Sequence, residues 1–106
     1  MPAFSPDEAA SRLSTLPGWQ IEDGQLTRTF HFKDFTAALA FVNRVGQEAE
    51  KAGHHPDIDI RYNRVRLSLV THDAGVPSDR SSSQGSEAGG LTEKDFDLAA
   101  IADRLA

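Results

Sequence analysis

Four histidines occur among the 106 residues, and two stand side by side in Glu50-Lys51-Ala52-Gly53-His54-His55-Pro56. An imidazole has an unperturbed pKa of about 6.5, so it can give or take a proton near neutrality, as general acid/base chemistry requires. Pro56 pushes the preceding residue into extended backbone, which ends any helix arriving from Glu50 and leaves both rings at an element end. Glu50 precedes His54 by four residues, the spacing at which a carboxylate in a last helical turn would lie over the ring and orient it. His72 closes an alternating run, Val65, Leu67, Leu69 and Thr71. In an antiparallel hairpin that strand end returns to the edge where the strand after Pro56 begins, so His72 is expected to join the doublet. His31 falls on the polar face of its strand and reads as a surface residue.

Blander roles compete for several of these residues. Metal ligation suits His and carboxylate side chains, but the i, i+4 and His-x-His spacings are absent, and adjacent rings do not readily face one ion. Asp95 lies three residues after Thr92, the position of a capping-box acid. Trp19 and Tyr62 read first as structural aromatics. The chain has no cysteine, which excludes disulfides, thiolate metal sites and cysteine nucleophiles. Its formal net charge is −5 and its basic residues are scattered, which argues against a nucleic-acid footprint. No apolar run is long enough to span a membrane, and the opening residues lack the pattern of a signal peptide, so the cytoplasm is the expected location.

The elements that must carry the histidines follow from caps and periodicity. Ser5-Pro6-Asp7-Glu8 is a helix start with a capping box, and Pro17-Gly18 ends that helix. A short strand from Trp19 to Ile21 leads into an Asp23-Gly24 hairpin turn. Leu26, Arg28, Phe30 and Phe32 then form one face of a second strand, with Arg28 the discordant member. Asp34 caps a long helix whose apolar stripe is read as Phe35, Leu39, Val42, Val45 and Ala49, ending near Ala52-Gly53. Ile58, Ile60 and Tyr62, a turn at Asn63-Arg64, and the run from Val65 give a second hairpin with one wet face. A last helix after Thr92 buries Phe96, Leu98 or Ala99, Ile101, Ala102 and Leu105. This order predicts a single α+β domain: a four-stranded antiparallel sheet with about three helices packed on one face. Residues 76–89, rich in Ser and Gly, read as a flexible surface insertion between the fourth strand and the last helix.

Taken in order, Glu50-x-x-x-His54-His55-Pro56, Tyr62-Asn63-Arg64-Val65, Thr71-His72 and Leu91-Thr92-x-x-Asp95 resemble the pterin-4a-carbinolamine dehydratases, and the resemblance extends over nearly the whole chain, Gly18-Trp19 included. It implies the same α+β fold and a cofactor-free, metal-free dehydration of a 4a-hydroxytetrahydropterin to quinonoid dihydropterin and water, in tetrahydropterin recycling. It further implies that His54 and His72 form the acid/base pair and that His55 binds and polarises the pterin. Glu50 would support His54, while Pro56, Trp19 and Asp95 would shape the pocket. The insertion at residues 76–89 departs from the family pattern and bears on where Asp95 sits. A homodimer or homotetramer is implied, with no nucleic acid or membrane partner. Relatives of this fold also serve as non-catalytic binding or assembly modules, which would be expected to lose the histidines. All three are present here.

Overall fold

The structure, a computed structural model, describes residues 3–71 and 90–106; His72 and the stretch at residues 76–89 lie outside the described residues. Three helices and four strands follow in the order α1 (Pro6–Leu13), β1 (Gln20–Glu22), β2 (Gln25–His31), α2 (Phe35–Ala52), β3 (Asp57–Arg61), β4 (Arg64–Leu69) and α3 (Glu93–Leu105). The strands form one antiparallel sheet in the order β1-β2-β4-β3. The expected α+β architecture is therefore present. No described helix is long and apolar enough to cross a membrane.

Local chemistry explains most boundaries. Ser5 caps α1 through a complete capping box with Glu8, and Asp34 caps α2 through Ala37 N–H. Asp23 (φ 52°) and Gly24 (φ 77°) both take the left-handed conformation that a tight two-residue hairpin requires. The second hairpin turns on Tyr62 and Asn63, one residue earlier than the sequence suggested; Tyr62 takes a left-handed φ of 51° and keeps its ring exposed.

The core lies between one sheet face and the helices. Leu26, Phe30, Val65, Leu67 and Leu69 face inward from the sheet, and Phe41, Val45, Phe96, Leu98 and Ala99 meet them from the helices. Phe41 packs against Phe30 and Phe32 with ring centroids 4.8 and 5.0 Å apart. Two expectations change here. The buried stripe of α2 is Ala38, Phe41, Val45 and Ala49, whereas Phe35 and Leu39 remain 45% and 42% exposed. In α3 the buried apolar positions are Phe96, Leu98, Ala99 and Ala102, with Ile101 and Leu105 only half-buried.

Arg28 is reconciled with its apolar face by reaching across it. Its guanidinium lies over the Phe30 ring, 4.6 Å from the centroid, and pairs with Asp103 at 2.9 Å. Gly18 makes room for this path, since a Cβ there would come within 2.4 Å of the Arg28 guanidinium.

The end of α2 aims the histidine doublet. Gly53 is left-handed at φ 64°; its N–H donates to the Glu50 carbonyl at 3.2 Å, and the His54 N–H donates to the Ala49 carbonyl at 3.1 Å. This pair of bonds is a Schellman motif, which reverses the chain and turns the residue after glycine back toward the helix. A Cβ on Gly53 would meet nothing within 4 Å, so Gly53→Ala carries only the conformational cost of a left-handed alanine. Urea denaturation should find the variant less stable by about 1–2 kcal/mol.

Candidate active site

His54 and His55 are adjacent in sequence but face different surroundings. The reversal at Gly53 buries His54 to 7% exposure, while His55 stays on the surface. His54 Nε2 lies 2.5 Å from Asp95 Oδ1, and Asp95 is fully buried at the first turn of α3. The other carboxylate oxygen, Asp95 Oδ2, accepts the Thr71 hydroxyl at 2.9 Å and the Thr92 backbone N–H at 2.8 Å. The two threonine hydroxyls are 2.8 Å apart. Every member of this cluster is buried, and no buried side-chain polar atom among the described residues lacks a partner.

Asp95 is the capping-box acid that its spacing from Thr92 suggested, and it has a second partner that the sequence did not indicate. It completes the capping box of α3 with Thr92, and it holds His54. Leu91 and Thr92 are fixed in turn by the chain around them. Thr71 and Gly90 exchange two backbone hydrogen bonds at 2.9 and 3.1 Å, and Phe4 N–H donates to the Leu91 carbonyl at 2.7 Å. Thr71 and Thr92 were not singled out as site residues from sequence. The available signal was the inward parity of Val65, Leu67, Leu69 and Thr71, which aims the threonine hydroxyl into the same interior as the α3 cap.

Glu50 differs from expectation. Its carboxylate pairs with His55 Nε2 at 2.9 Å rather than with His54, and both groups are largely exposed. The helical i, i+4 relation fails because helical phase is lost at Gly53 before His54 is reached. Pro56 is half-buried at the entry to β3, beside the doublet in sequence.

The fold and this geometry can be set against known proteins. The model for the family described as pterin 4 alpha carbinolamine dehydratase matches residues 2–105. The chain belongs to that family. A protein of Acidobacterium capsulatum bearing the provisional name pterin-4-alpha-carbinolamine dehydratase is 52% identical over 99% of each chain. One from Chloroflexus aurantiacus, with the same provisional name, is 51% identical over 99% of this chain and 98% of its own. Among solved structures, a transcriptional coactivator/pterin dehydratase from Brucella melitensis superposes with a TM-score of 0.79 at 34% identity, covering 98% of both chains. A pterin dehydratase-like RuBisCO assembly factor of the alpha-carboxysome, at 24% identity and a TM-score of 0.57 over 83% of this chain and 86% of that one, shares the fold.

Two parts of the dehydratase-family chain stand apart from the His54 cluster. Trp19 is a core aromatic: its ring packs edge-on against Phe30 at 5.9 Å, and its indole N–H donates to Asp103 Oδ1 at 2.9 Å. Asp103 is two turns beyond Asp95 on α3, roughly 12 Å at 1.5 Å per residue, so within one chain Trp19 is not beside His54. A groove of about 420 Å³ opens on the opposite, helix-free face of the sheet, lined by Thr29, Asp59, Arg61, Arg64 and Arg66. It contains none of the residues expected to act.

Charge around the α3 start is organised by α1. Arg12 pairs with Glu93 at 2.5 Å and holds that carboxyl below its ordinary value, while burial, aided by Glu93, pushes Asp97 up. No group of three or more potential metal-ligating residues converges among the described residues.

Proposed function

We propose that this family member dehydrates a 4a-hydroxytetrahydropterin to the quinonoid dihydropterin, as a step in tetrahydropterin recycling in the cytoplasm. The observation that carries this reading is a buried histidine, His54, held by a buried carboxylate, Asp95, at the end of the Glu-x-x-x-His-His-Pro segment. The reaction needs only proton movements. A base removes the N5 proton, the C4a–O bond breaks, an acid protonates the departing hydroxyl, and the N5 electron pair becomes the new C=N bond. Nothing is oxidised or reduced overall, so the residues need supply only one acceptor and one donor. His54 and His72 take these roles. His55 and Glu50, paired and accessible, supply polar contacts for the pterin, and Pro56 lines the entry. Trp19, bound to Asp103 in the core, supports the fold beneath the pocket.

The direct test is dehydration of freshly generated 4a-hydroxytetrahydropterin, followed by absorbance. The rate should rise in proportion to protein above the spontaneous reaction; no rise at any concentration would return the chain to the class of binding modules. The coactivator and assembly roles named for the structural relatives remain theirs. The presence of His54, His55 and His72 together favours the enzyme here.

We further expect catalysis without metal. The acid and base are side chains, and the chain offers no thiolate ligand. Exhaustive chelation should leave kcat unchanged, whereas loss of turnover restored by zinc would refute the mechanism.

A homodimer or homotetramer completes the proposal. Phe35 and Leu39, one turn apart on α2, are exposed, as is Ile58 on β3, and β3 is an open edge of the sheet among the described residues. Exposed apolar side chains beside an unpaired edge are normally covered by another chain. Light scattering at micromolar concentration should give two or four times the chain mass, and Leu39→Lys should shift the distribution toward monomer. A wild-type monomer would refute it.

A further inference from the structure

Proton bookkeeping in the buried cluster reaches beyond the pairing of His54 with Asp95. Asp95 Oδ2 accepts from both the Thr71 hydroxyl and the Thr92 backbone N–H, so that oxygen bears no proton. Thr71 has a single hydroxyl proton and spends it on Asp95; the 2.8 Å contact between the threonines must then be donated by Thr92. Thr92 Oγ1 in turn accepts the Lys94 N–H at 3.3 Å, so its own proton is free to point at Thr71. The direction of the chain follows: Thr92 O–H to Thr71, Thr71 O–H to Asp95 Oδ2. With Oδ2 occupied twice, Oδ1 is the acceptor that remains, and it faces His54 Nε2 at 2.5 Å. His54 Nε2 therefore carries the hydrogen. His54 Nδ1 makes no hydrogen bond among the described residues, and in the neutral ring it is the atom with the lone pair.

We infer that Thr71 is a positioning residue: it fixes the Asp95 carboxylate whose Oδ1 holds His54 in the Nε2–H tautomer, leaving Nδ1 as the atom that exchanges a proton with the substrate. This rests on the dehydratase reading for its consequence in catalysis, but not for the state of the ring. The physical basis is that a carboxylate held at both oxygens cannot rotate to offer its partner a different geometry. A histidine with a fixed acceptor on one nitrogen has its tautomer chosen by that acceptor. Thr71 suits the task because it lies two residues beyond β4 with the same inward parity and is clasped to Gly90 by two backbone hydrogen bonds, so its backbone is fixed beside the α3 cap. No charged group of the described residues other than Asp95 hydrogen-bonds His54. The tautomer therefore has one determinant on this side of the ring.

The test compares Thr71→Val, which keeps the shape and removes the hydroxyl, with Thr71→Ser, which keeps the hydroxyl. Nitrogen-15 spectra of the imidazoles, assigned through His54→Gln and recorded where the ring is neutral, report which nitrogen bears the hydrogen. Wild type and Thr71→Ser should show His54 as Nε2–H. Thr71→Val should keep Nε2–H, because Asp95 Oδ1 still accepts, but with the Nε2–H signal displaced from wild type by a less well aligned bond, and with kcat down about tenfold and KM nearly unchanged, the scale of one lost hydrogen bond to a charged group. Should Thr71→Val fail to fold, Asp95→Asn provides the second route, because an amide N–H turned toward Nε2 would favour the Nδ1–H form. A wild-type ring in the Nδ1–H form, or a Thr71→Val ring identical to wild type, would overturn the assignment. A protein inactive on the carbinolamine in every form would refute the dehydratase reading while leaving these spectra to decide the role of Thr71.

Discussion

His54→Ala and His72→Ala are each expected to lower kcat for carbinolamine dehydration by roughly 10²–10⁴-fold, the usual contribution of a positioned general acid or base. His55→Ala should instead act mainly on KM. The difference follows from placement. His54 is 7% exposed and bound to Asp95, so its ring has one orientation, as proton transfer in the transition state requires. His55 stands outside with Glu50, where a side chain can contact a bound ring system but is not held to a single geometry. Stopped-flow measurement with each variant separates the two effects. An unchanged kcat for either His54→Ala or His72→Ala would remove that residue from the proton-transfer step, and an unchanged kcat for both would end the proposal.

The second large effect belongs to Asp95. Asp95→Ala would strip the partner from a buried imidazole, the acceptor from a buried hydroxyl and the cap from the first turn of α3. Each buried donor left without a partner typically costs about 1–3 kcal/mol, so losing the acceptor of three such donors should cost at least about 3 kcal/mol. At about 4 °C or more per kcal/mol for a domain of this size, thermal melting should fall by at least roughly 12 °C. Asp95→Asn retains the volume and an acceptor oxygen, so it should melt well above Asp95→Ala while still losing activity. Equal melting of Asp95→Ala and wild type would mean that the cluster contributes nothing to the fold.

The fold was legible in the sequence where one signal dominated. The caps at Ser5, Asp34 and Thr92, the Asp23-Gly24 turn and the alternation in β2 and β4 each have a single physical explanation, and the structure carries all of them. The phase of α2 was harder. Its large apolar residues, Phe35 and Leu39, suggested the buried stripe, but the buried positions are the small Ala38 and Ala49 on either side of Phe41 and Val45. Close approach of a helix to a sheet favours small side chains, and hydropathy alone ranks them below the large ones left outside. At the site, the sequence located the doublet and its helix end correctly. It assigned Glu50 to the wrong ring because helical spacing was carried past a left-handed glycine. Asp95 was legible as a cap from its spacing after Thr92, but the contact of its other oxygen with His54 joins residues 41 apart in sequence and left no local signal.

The clasp between Thr71 and Gly90 has a consequence for grafting. Thr71 and Gly90 exchange a pair of backbone hydrogen bonds, which sets the two ends of any chain joining them side by side. For a flexible connection between two such fixed ends, doubling the length adds only about 0.6 kcal/mol of closure entropy. A recognition peptide or a small reporter domain with adjacent termini, spliced between those ends, should therefore leave the pair of hydrogen bonds in place. The seat of Asp95 would stay set by Thr71 and Thr92, on the fixed side of the join.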